Sequence, residues 1–428
     1  MSEQSFLQWS QAAGLDSSKL SIRAEDGNQR GVFSASDTQP GRVLEVPVKA
    51  LLTASRLHVG GSEHSEAVRA LLPEQKLALF LLQEKSKLNA SAWEPYLAQL
   101  PSTPNRLCTF NAEEIGFLQV RYAKDVATES TELVRQQWLA CQHLMATAGI
   151  KPELQGIESW QWAAAMVTSR TMHFPAGGSC GALVPLGDMF NHAPGPAPTT
   201  PFIEGFLDKC PPGQDHAGRP QNNIGTASSD SASGWGTGYY DEDRQMYCIH
   251  TEGRYCKGDE MFLTYGQHTN LQLLELYGFL LDHNPDDRAQ LPLVAFNLPT
   301  LAEHVQPGDA WLHWNGVPSW KLLQGLRLAT ASKKERRQRA HAVVAGRTVG
   351  PEAETRALTS LHAACTAILD VLPTTLQQDL QLLEDGAEPS SRMALALRWR
   401  IGYKRMVAHA AAGASRALQA SQPSQGKH

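Results

Sequence analysis

The sequence predicts an α+β fold, in which a β-rich unit is interrupted by one helical insertion and followed by an all-α C-terminal region. Three observations carry this. Residues 22–53 hold short β-branched runs punctuated by glycine and proline, and the same texture returns at 181–201 and from 244 to 266. Between about 55 and 167, apolar residues recur at helical spacing. After about residue 295 that spacing returns and continues to the end of the chain. A chain of 428 residues, 42% hydrophobic and 19% charged, is globular in composition and long enough for two or three packed regions. It shows no repeat of fixed period.

Each element follows from local chemistry. In "IRAEDGNQRGVFSASDTQPGRVLEVPVKALLT" (22–53), Gly27, Gly31 and Pro40-Gly41 separate runs suited to small β-hairpins. "LPEQKLALFLLQEK" places Pro73 at a helix first turn, with Leu77, Phe80 and Leu81 on one face. "STELVRQQWLACQHLMATAG" keeps the helical period and stops at Gly149. Residues 205–238 are rich in Gly, Ser, Asp and Pro, and a mobile loop is expected there. Within it "GWGTG" (234–238) follows no predicted strand and opens no helix, so a phosphate-binding loop is not expected. "RQMYCIHTEG" and "DEMFLTYG" alternate as half-buried strands do. Near the end, Leu358, Leu361, Cys365, Ile368, Leu369 and Leu372 form an apolar stripe. "TTLQQDLQLLEDG" then places Thr374 and Gln377 at capping-box spacing and closes on Gly386. These textures set boundaries at 1–54, 55–167, 168–292 and 293–428.

Composition excludes several classes. The net charge is -5 and no large region is dominated by basic residues, so phosphate-driven nucleic-acid binding is not expected. "KKERRQR" (333–339) reads as a solvated helix face or as a docking patch for an acidic partner. No apolar run reaches membrane-spanning length. Cys108, Cys141, Cys180, Cys210, Cys248, Cys256 and Cys365 are scattered and form no C-x-x-C pair, which argues for a reducing compartment and against a zinc site. The first residues lack an apolar core and an Arg/Ser-rich presequence, so a cytoplasmic or nuclear address is expected. A chloroplast address stays open should a leader precede residue 1.

"FLTYGQHTNLQLLELYGFLL" (262–281) runs from a strand pattern into an amphipathic helix. Leu271, Leu274, Leu276 and Phe279 suit a buried helix, and Tyr277 and Phe279 read equally as core or as a cavity wall. Tyr265 ends an apolar strand beside Gly266, where its hydroxyl must find a partner or face a cavity. "VPLGDMFNHAPG" (184–195) followed by "YGQHTNLQLLELYGF" (265–279) resembles the two signature stretches of SET-domain methyltransferases of the Rubisco large-subunit lysine methyltransferase class. In matching order come "NQRGVFSASDTQPGRVLEVP", "SAWEPYLAQLP", "WAAAMVTSR", "LPTTLQQDLQLL" and "SSRMALALRWRIGYKRM", so the resemblance spans nearly the whole chain.

That resemblance implies a SET domain with its pseudoknot, a helical insertion, a helical substrate-binding C-terminal domain, and S-adenosyl-L-methionine (AdoMet) as cofactor. It implies that the backbone of Asn28, Gln29, Arg30 and Gly31 holds the methionine end and that Arg170 pairs with the cofactor carboxylate. It further implies that the Asn191 side chain takes the amino group and that the His192 backbone reads the adenine. Asp188 either faces the substrate ammonium or holds its turn. Tyr277 and Phe279 would wall a dry channel, and Tyr265 would aim its hydroxyl at the reacting methyl as the catalytic residue. A lysine ammonium has a reference pKa near 10.4, so such a channel must favour the neutral amine by desolvation, and neither a metal nor a strong base is then expected. The implied activity is protein-lysine N-methylation of a non-histone protein, by a monomer that binds neither nucleic acid nor membrane. Two alternatives stay open: protein-histidine methylation as in actin-directed relatives, which lose the tyrosine that Tyr277 retains here, and a SET-fold binding module without turnover.

Overall fold

The computed structural model describes residues 3–25, 29–60, 65–194, 236–344, 348, 350–386 and 391–420. After the helix Glu3–Ala12 come β1 (Leu20–Glu25) and β2 (Gln29–Ser34), an antiparallel hairpin that sets Ile22 opposite Val32. β3 (Gly41–Pro47) and β4 (Leu52–Thr53) follow. The chain is then helical until β5 (Thr171–Met172), β6 (Ala182–Leu183) and β7 (Asn191–His192). β8 (Gly236–Asp241), β9 (Met246–Thr251) and β10 (Phe262–Leu263) complete this part. Among the described residues the main sheet has the order β3-β9-β8-β10-β7, and β10 runs parallel to both β7 and β8. β4, β6 and β5 form a second, three-stranded sheet.

The strands bury the residues their patterns single out. β3 turns both Val43 and Leu44 inward because its register shifts between Arg42 and Leu44, and Val46 then follows on the same side. The helix Pro73–Ser86 begins on proline, as expected, and the Gln75 side chain accepts the Leu72 N–H. Its middle is buried on every side, from Leu77 through Leu82, rather than along one stripe. A helix without a polar face must be covered all round, and this one packs against the helix Ile157–Arg170 while sharing a core with the sheet.

Two large cores result. The first joins Phe6, Leu44, Leu81, Trp160, Leu183 and Leu263; the second joins Leu107, Leu271, Leu312, Leu326, Leu361 and Val407. The helical stretch between β4 and β5 contributes to both, since Leu144 of the helix Arg121–Met145 enters the first core and Ala127 the second. β10 belongs to the first core and the helix Asn270–Leu276 to the second. Residues 264–269 therefore cross the seam.

Three expectations are revised. Of residues 205–238, those up to 235 lie outside the described residues, while Gly236–Gly238 open β8 opposite Ile249–Thr251. Past residue 295 the chain is not yet helical, because β11 (Arg288–Gln290) pairs with β12 (Trp311–His313) and the long helices start at Trp320. The capping box falls on Thr375 and Gln378, one residue later than expected. Thr374 is unavailable for it because its hydroxyl oxygen already accepts from Gln119 Nε2 at 2.8 Å and from Lys404 Nζ at 2.9 Å. Among the described residues, no helix is long and apolar enough to cross a membrane.

Asp379 anchors the C-terminal helices. Its carboxylate is fully enclosed and accepts from Arg400 Nη2 at 2.7 Å and Lys404 Nζ at 2.6 Å, both on the helix Arg392–Ala420. Lys404 also reaches the Thr374 carbonyl and Gln119, and Arg400 donates to the Phe117 carbonyl. Removing one partner of a buried ion cluster leaves the rest uncompensated. Asp379→Ala should lower the unfolding free energy by about 3–5 kcal/mol, read from urea midpoints.

Candidate active site

The strand end, turn and helix that follow β10 form an aromatic corner. Thr269 caps the helix Asn270–Leu276 in a reciprocal box with Gln272, and Tyr277 ends it. Gly278 is required there: its φ is +83° and a Cβ would stand 2.9 Å from the Asn105 carbonyl carbon. Arg106, buried beside it, donates Nε–H to the Glu275 carbonyl at 2.8 Å and so holds the last turn. These constraints bring the Tyr265 and Tyr277 ring centroids to 4.8 Å, with Phe279 at 6.1 Å from Tyr277 and 6.4 Å from Tyr265. The three aromatics are half-buried and share one corner.

The other end of the same helix is tied down by polar groups. Asp287 accepts from the Asn270 backbone N–H at 2.9 Å and from its side chain at 3.0 Å, while Asn270 exchanges bonds with the backbone of Leu281. Burial pushes the Asp287 carboxyl up to about 6, although the Asn270 and Arg288 N–H groups pull the other way.

Tyr265 is fixed at both ends. Its hydroxyl donates to the Phe190 carbonyl at 2.6 Å, and its backbone N–H donates to His192 Nδ1 at 3.1 Å. The His192 ring stacks on it at 5.1 Å. Nδ1 accepts, so the imidazole proton resides on Nε2, and burial pulls the His192 pKa down, consistent with a neutral ring. Burial likewise holds the Tyr265 phenol above its ordinary range, so it stays protonated at neutral pH.

Next to this corner lies an ion pair whose acidic member is sealed. Asp188, with no side-chain exposure, accepts from the Tyr96 hydroxyl at 2.9 Å and pairs with Arg170 Nη1 at 3.3 Å; the same Nη1 donates to the Asp188 carbonyl at 3.0 Å. Burial raises the Asp188 carboxyl despite Arg170 and Tyr96; for Arg170 burial is the strongest single pull, downward, but Asp188, Tyr96 and Tyr265 together leave it raised. Of the two roles open to Asp188, the structure selects the turn-holding one, because an enclosed carboxylate paired with Arg170 cannot meet a substrate ammonium. Arg170 keeps 23% of its side chain exposed. Its Nη1 is engaged and its Nε is sealed inside without a partner.

Asn191 reaches across to β2. Its Nδ2 donates to the Arg30 carbonyl at 3.1 Å and to Glu260 Oε1 at 2.7 Å. Arg30 in turn sends Nη1 to the side chain and carbonyl of Gln99. Gly31 is constrained by close approach, since a Cβ there would overlap Glu260 Oε1. Gln29, Arg30 and Gly31 belong to β2 rather than to a loop, and Asn28 lies outside the described residues. Tyr96, Arg106 and Glu260 were not anticipated. A signal existed for Tyr96, inside the matched stretch "SAWEPYLAQLP", but not for the long-range pairing that gives it a task. The implied cofactor fits these residues: carbonyl and carboxylate acceptors suit its ammonium, and the aromatic corner suits a sulfonium methyl.

Two outcomes follow. Arg170→Ala should cost about 3 kcal/mol of unfolding free energy by stranding Asp188, and adding Asp188→Ala should recover part of it; a thermodynamic cycle of urea midpoints measures this. Asp287 has a folded pKa of about 6, above its ordinary 3.8, so its contribution is fully present below about pH 4 and is lost as pH rises through 6. Unfolding free energies from pH 4 to 7 should therefore show a decline of about 3 kcal/mol in wild type that Asp287→Asn lacks.

Comparison with known proteins bears on the family and the fold. A family model described as Rubisco LSMT substrate-binding matches residues 278–407. Protein SET DOMAIN GROUP 40 of Arabidopsis thaliana is 31% identical over 405 residues, covering 89% of this chain and 79% of that protein. The actin-histidine N-methyltransferase of Danio rerio is 25% identical over 431 residues, and the match spans 65% of its length. Among solved structures, the SET domain of LSMT bound to lysine and AdoHcy superposes with a TM-score of 0.64 at 18% identity, over 98% of this chain and 92% of that one. Rubisco LSMT bound to AdoMet superposes equally well, with a TM-score of 0.64. The chain belongs to the SET-domain methyltransferase family, in its Rubisco LSMT-like class.

Proposed function

We propose that the protein transfers a methyl group from AdoMet to a lysine side chain of a non-histone protein. The observation that carries this reading is the corner formed by Tyr265, Tyr277 and Phe279, with the Tyr265 hydroxyl held on the Phe190 carbonyl. The AdoMet- and lysine-bound LSMT structures support the cofactor and the substrate class by analogy of fold.

When bound, AdoMet supplies an electrophilic methyl on a sulfonium. The chain's own residues then position and desolvate. Tyr277 and Phe279 remove water from the lysine stem, which penalises the ammonium and favours the neutral amine that can attack. Tyr265 directs its only O–H to the Phe190 carbonyl as a hydrogen bond, so its oxygen offers lone pairs to the reacting centre and steadies it by weak C–H···O contacts. None of the groups in the corner is set up as a strong base: the phenol is raised and the His192 ring is neutral with Nδ1 occupied. The ammonium proton leaves to water before transfer. Residues 278–407, where the substrate-binding model matches, would choose the protein substrate.

Retention of Tyr277 supports lysine over histidine. The deciding experiment incubates the protein with isotopically labelled AdoMet and cell lysate and identifies the modified residue by mass spectrometry. Methyl-lysine as principal product is expected, and methyl-histidine would transfer the assignment to the actin-directed type. Tyr265→Phe should lower kcat by about a hundredfold while leaving AdoMet affinity nearly unchanged, because its hydroxyl acts on the reacting centre. Single-turnover rates alongside calorimetric Kd values check this.

A further inference from the structure

Arg106 is a buried cation, 5% exposed, whose charge has no part in the chemistry above. Its Nε donates to the Glu275 carbonyl at 2.8 Å, two residues before Tyr277, and its Nη1 reaches the Ala164 carbonyl of the helix Ile157–Arg170 at 3.5 Å. The backbone of Asn105 and Arg106 lies directly against Gly278, the residue between Tyr277 and Phe279. The guanidinium is thereby fixed beside the wall that those two rings form. Among the described residues its side chain bonds only to carbonyl oxygens and pairs with no carboxylate. Holding a carbonyl requires an N–H donor, which an uncharged amide also supplies. A full charge buried against neutral dipoles is costly and exceeds that task.

The charge is felt at the wall. Burial raises the Tyr277 phenol, and Arg106 pulls it back down. A fixed cation favours whichever form of a neighbour carries less positive charge, so the influence that eases loss of a phenol proton also disfavours an ammonium in the same place. Neighbouring groups leave this potential standing. Arg170 is paired with Asp188, and the His192 ring is neutral. Burial and Glu129 both raise the Glu275 carboxyl against the pull of Arg106, which limits its power to offset the guanidinium. The rings alone would also hold the wrong form, because aromatic faces attract an ammonium.

We propose that the Arg106 guanidinium makes the candidate channel electropositive, so that a lysine side chain lodged against Tyr277 resides there as the uncharged amine that can accept the methyl. The proton lost by the ammonium goes to water. Arg106 touches neither cofactor nor substrate; it is a positioning residue, acting through the turn it holds and the field it sets. The proposal rests on the lysine-methyltransferase reading and deepens it.

NMR titrations at pH 8 under saturating S-adenosylhomocysteine, which has no sulfonium charge, compare L-lysine with L-norleucine, which is lysine without its terminal nitrogen. Arg106→Gln keeps an N–H donor and removes the charge. It should tighten lysine by about tenfold relative to norleucine, the scale on which one unit charge acts on another through partly wet protein. Arg106→Lys, which keeps the charge, should leave that ratio as in wild type. Equal changes for both amino acids in Arg106→Gln would make the residue a turn anchor alone, and a weakened lysine would reverse the sign of its field; either result overturns the proposal. Should Arg106→Gln lose S-adenosylhomocysteine binding, Arg106→Met is read in its place, and the same loss in both neutral variants would assign the charge to the fold and overturn the proposal too. Wild-type protein that binds S-adenosylhomocysteine but neither amino acid would instead sink the lysine reading, before any substitution is made.

Discussion

The enclosed carboxylate of Asp188 is the constraint on which the candidate site depends. Its side chain has no exposure to solvent, so it must be held by Tyr96 from the helical stretch and by Arg170 from the end of the helix Ile157–Arg170. Holding it fixes the turn that precedes β7, and each residue after it then has a determined task. The Phe190 carbonyl receives the Tyr265 hydroxyl, Asn191 crosses to Arg30 and Glu260, and His192 receives the Tyr265 N–H. One buried charge thus registers the sheet, the hairpin β1–β2 and the aromatic corner against one another. A buried ion pair is weak as a source of net stability, but it discriminates strongly against arrangements that strand either partner.

The same logic recurs in the C-terminal helices, on a larger scale. Asp379 collects Arg400 and Lys404 from one helix, and those cations reach back to Phe117 and Gln119 just before the helix Arg121–Met145. The second core surrounds this knot and includes Leu271 and Leu274 of the helix that carries Tyr277. Packing of the C-terminal region is therefore continuous with the wall of the candidate channel, so a protein substrate held by the one would be registered to the other.

Much of the fold was legible because it rests on local signals. Proline at a first helical turn, strand alternation around residues 246–263 and the apolar stripe from Leu358 to Ile368 all read directly. The aromatic corner was legible too, since a strand end, a glycine and a two-turn helix leave Tyr265 and Tyr277 few ways to avoid each other. What escaped were pairings between distant positions. Tyr96 with Asp188 spans 92 residues, and Asn191 with Glu260 spans 69; neither has a periodicity to announce it. The misplaced capping box shows a subtler limit. Thr374-Thr375 and Gln377-Gln378 offer two registers of the same motif, and the bonds that the Thr374 oxygen accepts from Gln119 and Lys404 decide between them.

The corner's energetics follow from the chemistry assigned to it. A reaction without a strong base or metal must draw its acceleration from position and exclusion of water, and a displacement of about 1 Å can cost two orders of magnitude in rate. A helix of seven residues cannot hold its own geometry in water. It is held instead by Asn270 on Asp287 at one end and by Arg106 on Glu275 at the other. Asp287 is buried at an expense, since its carboxyl is raised to about 6 and remains ionised at neutral pH. Stability surrendered there is returned as placement, because the charged form is the one that accepts both Asn270 bonds and fixes where Tyr277 emerges. The corner is thus most rigid under the conditions in which Asp287 destabilises the fold, which is the trade expected of a site whose catalysis is positional.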